Sequence, residues 1–251
     1  MNKSVNCQFY GASCLYNKVS KYLNEVPYEE LDLLKNKLLE KLLLYAVNVA
    51  DSSSHSKHGQ VILIERKLNS TLAKLALYLI EDQWQNCIYD IIQTIPNCIS
   101  NQNGSSVEQS SNDQMDNQKM QLILIVVDLL TLLPEEFSQL TNLNKHKRTQ
   151  INHKLKQNFF IISKYLINLF NQFNEIVNQM TNNNNTTATS LPLKIIENAI
   201  KCLTSWIEFG IQFNEIEQYI DYLFIYIFNE RLFEQSADCL TCLFSSEENQ
   251  K

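Results

Sequence analysis

The sequence predicts an all-α protein whose helices follow one another in antiparallel pairs, and three observations carry that reading. Only four Gly and four Pro occur in 251 residues, whereas sheets and α/β units need turn residues at every connection. Apolar side chains recur every three or four residues along most of the chain, the period of a helix with one buried face. A hydrophobic fraction of 45% is enough for one large or two small cores.

The reference point is the run Leu122–Leu133, interrupted only by Asp128 and Thr131. As a helix it would be oily on every side, so it must lie between neighbours. At helical rise it spans about 18 Å, short of the ~30 Å hydrocarbon core of a bilayer. Periodicity alone leaves a buried strand open for its Ile-Leu-Ile-Val-Val segment; the surrounding helices decide for a helix. Pro134 is expected to close it.

From Ser4 to Asn24, the residues Val5, Phe9, Ala12, Tyr16, Val19 and Leu23 form one stripe, ended by Pro27. A second helix carries Leu31, Leu34, Leu38, Leu42, Tyr45 and Val49 on one face, with Glu29, Asp32, Asn36 and Glu40 largely opposite, and the two are read as a hairpin. Residues 51–59 hold no apolar side chain and read as a loop. Helices resume near Gln60 with Val61, Ile64, Leu68, Leu72, Leu75 and Leu79, then from Trp84 through Ile88, Ile91 and Ile95 to Pro96, a second hairpin. Residues 97–118 turn to Asn, Gln, Ser and Asp and predict a disordered insertion.

Beyond the oily helix, Leu140 to Leu143 form a connector, and the longest pattern starts at Lys145. Its stripe is Ile151, Leu155, Phe159, Ile162, Leu166, Leu169, Phe173 and Ile176. Residues 181–190 are a third polar insertion; Ser190 ahead of Pro192 marks a helix start, and Gly210 a stop after Ile195, Ala199, Leu203 and Trp206. Ile216, Ile220, Leu223 and Ile227 make the next helix, and Leu232, Ala237, Leu240 and Phe244 the last. Helix pairs at intervals of roughly 40 residues, about nine helices in all, suggest a HEAT-type (armadillo-like) α-solenoid over residues 1–251, with a compact bundle as the rival. A solenoid needs polar outer faces at its ends; here the first helix begins apolar and the last lacks a partner, so a piece of a longer chain is expected.

Composition limits the function. With 21 Lys and Arg against 27 Asp and Glu, the net charge is −6 and the pI near 5.3, which argues against general nucleic-acid binding. Seven cysteines, odd in number and scattered through helical runs, read as reduced core thiols. No charged-then-apolar leader opens the chain, so no secretory signal is expected and the sequons at Asn69, Asn103 and Asn185 carry no weight.

Candidate chemistry is sparse. Cys239-Leu-Thr-Cys242 has redox or zinc spacing, but zinc needs two more ligands and redox work a helix start after a strand, so core thiols are the better reading. His146 and His153 lie about 10 Å apart along one helix, too far to share a metal, and His55 and His58 sit in polar sequence. No phosphate loop, nucleophile elbow or His-Glu-x-x-His occurs, so an enzyme is not expected, nor a cofactor or catalytic residue. Lys145, Lys147, Arg148, Lys154 and Lys156 form a basic patch. It reads as a solvated helix start or as a contact for an acidic surface, or for nearby Glu135 and Glu136. Trp84 and Trp206 are packing anchors. Glu29, Asp32 and Glu40, with Lys145, Lys147 and Arg148, are the candidate partner-binding residues.

The chain resembles the importin-13 and transportin-3 (transportin-SR) branch of the importin-β superfamily of nuclear transport receptors. Leu129-Leu-Thr-Leu-Leu-Pro-Glu-Glu136 followed by Asn144-Lys-His-Lys-Arg-Thr149 is similar to a family pattern of apolar run, Leu-Pro-Glu-Glu and basic helix start. Upstream, Ala76-Leu-Tyr-Leu79 with Gln83-Trp84 fits the same order; downstream, so do Lys201-Cys-Leu-Thr-Ser-Trp206 and Ser236-Ala-Asp-Cys239. The resemblance implies a HEAT solenoid whose second helices line a concave face. It also implies a receptor that binds cargo and Ran-GTP, with nucleoporins as further partners, and shuttles between cytoplasm and nucleus. It places the chain in the amino-terminal region, without the first repeat and short of the repeats that dominate cargo capture. The alternative is a HEAT scaffold for a non-transport assembly; a thiol oxidoreductase using Cys239 and Cys242 is the remote third.

Overall fold

The computed structural model describes residues 4–51, 55–100, 112–141, 143–182 and 191–248. Among them every regular element is helical: nine α-helices and three short 3₁₀ turns. The fold class is the expected all-α solenoid of HEAT type. Two compact units are formed, residues 1–142 and 143–251.

Unit 1 contains α1 (Val5–Tyr22), α2 (Tyr28–Asp51), α3 (His55–Leu79), α4 (Cys87–Ser100) and α5 (Asn112–Gln139). Ser4 caps α1, its hydroxyl accepting from the Cys7 N–H at 3.4 Å. α1 and α5 both pack against α3, while α2 packs on α3 and α5, and α4 on α5. The helix pairs are therefore α2/α3 and α4/α5, with α1 laid beside α3. The expected pairing was offset by one helix, because an amphipathic stripe shows that a helix has a partner and not which helix that is.

α3 is central to unit 1. From Leu68 to Leu77 every side chain is buried, polar ones included. The oily run is helical, as its neighbours required; Ile125, Val126, Val127, Leu129, Leu130 and Leu133 are 1% exposed or less. The helix does not end at Pro134, which lies inside α5. Pro134 is itself buried, and packing there offsets the missing backbone donor. Likewise α4 runs past Pro96 to Ser100.

The polar stretches also depart from expectation. His55–Gly59 belongs to α3, residues 97–100 to α4, 112–118 to α5 and 181–182 to α6. The remaining parts of the three insertions, 52–54, 101–111 and 183–190, lie outside the described residues.

Unit 2 contains α6 (Lys145–Asn182), α7 (Leu191–Glu208), 3₁₀ turns at Phe213–Glu215 and Glu217–Tyr219, α8 (Ile220–Tyr226) and α9 (Phe233–Glu248). α6 packs on α7, α7 on α9 and α8 on α9. The α6 stripe is buried from Ile151 to Phe173; at its end Val177 takes the inward place expected of Ile176, which is 38% exposed. α7 ends in a Schellman motif: Gly210 N–H bonds the Ile207 carbonyl at 2.9 Å and Ile211 N–H the Trp206 carbonyl at 3.3 Å. Gly210 adopts φ 92°, a left-handed conformation that glycine takes without a Cβ penalty. In α9 the core-facing residues are Ser236, Cys239, Leu240 and Leu243; of the expected stripe Leu232 and Leu240 are buried, Ala237 is half-buried and Phe244 is 47% exposed.

Candidate partner-binding surfaces

A polar network crosses the interior of unit 1. Lys74 of α3 pairs with Glu136 of α5 at 3.3 Å and donates to Ser20 Oγ of α1 at 2.8 Å. Tyr16 donates its hydroxyl to Glu136 Oε2 at 3.1 Å, and the ammonium groups of Lys67 and Lys74 lie 4.0 and 4.3 Å from its ring centroid. Nearby, Asn69 donates to Asp128 Oδ2 at 2.8 Å. These groups join α1, α3 and α5 from within. Glu136 is thus held by Lys74 and Tyr16, inside unit 1, rather than standing as a surface acid for the basic patch.

The candidate carboxylates occupy the outward side of α2. Glu29, Asp32 and Glu40 are all exposed and fall within an arc of about 80° at 100° per residue. Leu31, Leu38 and Leu42 point the opposite way, none more than 2% exposed. Asp32 pairs with Lys35 and accepts from Asn36 Nδ2 at 3.3 Å. Lys35, first by its hydrogen bond and then by its charge, holds the Asp32 carboxyl below its ordinary value.

The candidate cations form the first turn of α6. Lys145 is exposed, Lys147 and Arg148 half-exposed. Asn144 caps the helix, its Oδ1 accepting from Lys147 N–H at 2.8 Å. Positive side chains at the positive pole of a helix are unfavourable, so helix stability does not account for three of them. Lys156 of the same basic stretch is a structural residue: its Nζ donates to the Gly210 carbonyl at 2.7 Å, closing the α7 end. His153 contacts Gln157 at 2.8 Å.

The cysteines divide. Cys87, Cys202 and Cys239 are buried as read; Cys7 is exposed and Cys14 and Cys242 are intermediate. Cys7 and Cys14 lie off the α1 face that buries Ala12 and Val19, and Cys98 lies outside the residues whose side chains are described. Burial pushes the thiols of Cys87 and Cys239 up to about 12, the reverse of what nucleophilic or redox work needs. Among the described residues no three His, Cys, Asp or Glu side chains converge as metal ligands, and no helix is long and apolar enough to cross a membrane. Both tryptophans anchor packing. Trp84 is 5% exposed and its indole donates to Asp90 Oδ2 at 2.8 Å. Trp206 is fully buried, with the ring centroids of Phe159 and Phe209 at 5.6 and 5.5 Å.

Sequence reading missed a groove in unit 2. It has a volume of about 370 Å³ and lies between α6 and the 3₁₀ segment leading to α8, lined by Phe159, Phe160, Ser163, Glu215, Glu217 and Gln218 among others. Phe160 is 61% exposed. That exposed aromatic, off the α6 stripe, was the available signal.

Helix pairs that bury their own stripes, with no cluster of metal-ligating side chains among the described residues, define a helical-repeat protein. The chain belongs to the exportin 1-like family, whose model, described as Exportin 1-like protein, matches residues 62–240. Importin-13 from Homo sapiens and from Bos taurus are each 24% identical over 250 residues, and importin-13 from Rattus norvegicus is 23% identical. Each match covers 100% of this chain and 21% of the relative. The resemblance to the importin-13 branch of the nuclear transport receptors therefore extends over the chain, which spans about a fifth of the length of the curated relatives it matches.

Proposed function

We propose that this chain acts in nuclear import as part of a karyopherin, binding protein cargo and the GTP form of Ran through its helix surfaces. The carrying observation is the exportin 1-like match over residues 62–240 within importin-13 similarity over the whole chain. Such a receptor works by differential affinity for partners and needs no reacting group. It moves between cytoplasm and nucleus through pores, with nucleoporins as transient contacts. Glu29, Asp32 and Glu40 on α2, and Lys145, Lys147 and Arg148 at the start of α6, are the proposed contact residues.

The test is capture of purified Ran by a polypeptide containing this chain, in the GTP and GDP forms. Preferential capture of Ran-GTP is expected. Equal capture of both forms, or of neither, refutes the reading. Reversing Lys145, Lys147 and Arg148 to Glu should weaken binding of an acidic partner while helicity is kept.

A further inference from the structure

α9 carries a second apolar stripe. One residue on from the buried Ser236, Cys239 and Leu243 stand Ala237, Leu240 and Phe244, with Phe233 at the helix start, a line turned from the core by about 100°. Leu240 is 6% exposed, but Phe233 and Phe244, at the two ends of the line, are 54% and 47% exposed. Phe228, in the turn before α9, is 85% exposed, and Phe224 and Ile225 of α8 are open as well. Exposed phenyls aligned on one helix mark a place of association. The order of this face complements itself. Residues 233, 237, 240 and 244 have the same spacing read in either direction, with a phenyl at each end. The flank away from the core, Glu234, Asp238, Thr241 and Ser245, keeps that spacing, and all four are exposed. Its first half is two carboxylates and its second half two hydroxyls.

We propose that this face pairs two copies of the chain, with α9 antiparallel to α9. A two-fold axis through the middle of the helix sets Phe233 against the partner's Phe244 and Ala237 against the partner's Leu240, a small side chain beside a large one. The carboxylate half of each flank then lies beside the hydroxyl half of the other, so no carboxylate meets another. Sliding the two helices toward their starts would crowd four carboxylates together, which fixes the register. A contact between identical copies requires a patch that complements itself; a helix of another protein places no such demand on the spacing of α9. The face is small, so association is weak, with a dissociation constant on the order of 1–100 μM. Each copy carries a net charge of −6, so added salt should tighten the pair rather than loosen it. Self-association stands apart from the transport reading: Ran capture can fail with the dimer intact, and the dimer can fail with Ran capture intact.

The test is sedimentation equilibrium of the whole chain at concentrations from about 1 to 300 μM. A concentration-dependent dimer is expected. Phe233→Lys and Phe244→Glu should each weaken it at least about tenfold. An equimolar mixture of those two variants should recover a heterodimer, because the mixed antiparallel pair sets lysine against glutamate at one end and phenyl against phenyl at the other. Phe160→Ala, at an exposed phenyl on α6, should leave association unchanged. A monomer at every concentration, a dimer that neither variant weakens, or a mixture that stays monomeric overturns the proposal; the first is the result expected of a face that takes a helix other than its own copy. All the substituted side chains are exposed, so circular dichroism should show every variant folded.

Discussion

Lys74→Met should be among the most damaging substitutions in unit 1, and the reason is electrostatic. Lys74 and Glu136 are 8% and 3% exposed and 3.3 Å apart. At an effective dielectric near 20, their attraction at that distance is about 5 kcal/mol. Methionine follows a similar path and fills much of the same space, so packing is largely kept. Glu136 retains the Tyr16 hydroxyl, a charge-assisted hydrogen bond worth about 1.5–3 kcal/mol. An otherwise unpaired buried carboxylate leaves a net cost of about 3–5 kcal/mol. The double variant Lys74→Met/Glu136→Met removes both charges and should recover most of that loss. Urea unfolding followed by circular dichroism gives the stabilities, and hydrogen exchange of α3 and α5 peptides places the loss in unit 1. The reasoning fails if the single variant costs under about 1 kcal/mol, or if the double variant is no more stable than the single.

Trp206→Ala should cost about 3–5 kcal/mol in thermal or urea unfolding, whereas Phe228→Ala, at a side chain 85% exposed, should stay within about 0.5 kcal/mol. Gly210→Ala forces a Cβ into φ 92° and places it 3.4 Å from Lys156 Nζ; a loss of about 1–2 kcal/mol is expected from the same measurement. Stability should fall as pH rises from about 9 toward 12. The folded-state thiols of Cys87 and Cys239 are raised by burial to about 12, so the unfolded chain loses those protons first. Denaturant midpoints across that window check the slope, which Cys239→Ala should reduce. Maleimide should label Cys7 in the native protein and reach Cys87, Cys202 and Cys239 only on unfolding.

Helix content was legible because each stripe carries its own period. The burial of Leu31, Leu38 and Leu42, and of Ile151 through Phe173, follows directly from spacing. Pro134 was misleading, since a local rule about the missing donor was overridden by packing on both sides of α5. His55–Gly59 was misread for a related reason: polar composition removes the stripe without removing the helix. Among candidate residues, Glu29 and Glu40 could be placed outward by angle alone. The engagement of Glu136 could not, because Lys74 and Tyr16 lie 62 and 120 positions away in sequence and meet it only through packing. The groove depends on a 3₁₀ segment beside α6, a juxtaposition no periodicity encodes.

The burial of α3 on all sides between Leu68 and Leu77 has a consequence for how this chain can change over generations. An ordinary amphipathic helix offers drift a solvent side on which most replacements pass unnoticed. Between Leu68 and Leu77 no such side exists, and Asn69, Ser70, Thr71 and Lys74 are hemmed in as closely as the leucines. A saturation library across this segment should be nearly barren, with survivors confined to replacements of matching volume, and compensating changes arising in α1 or α5 rather than within α3 itself.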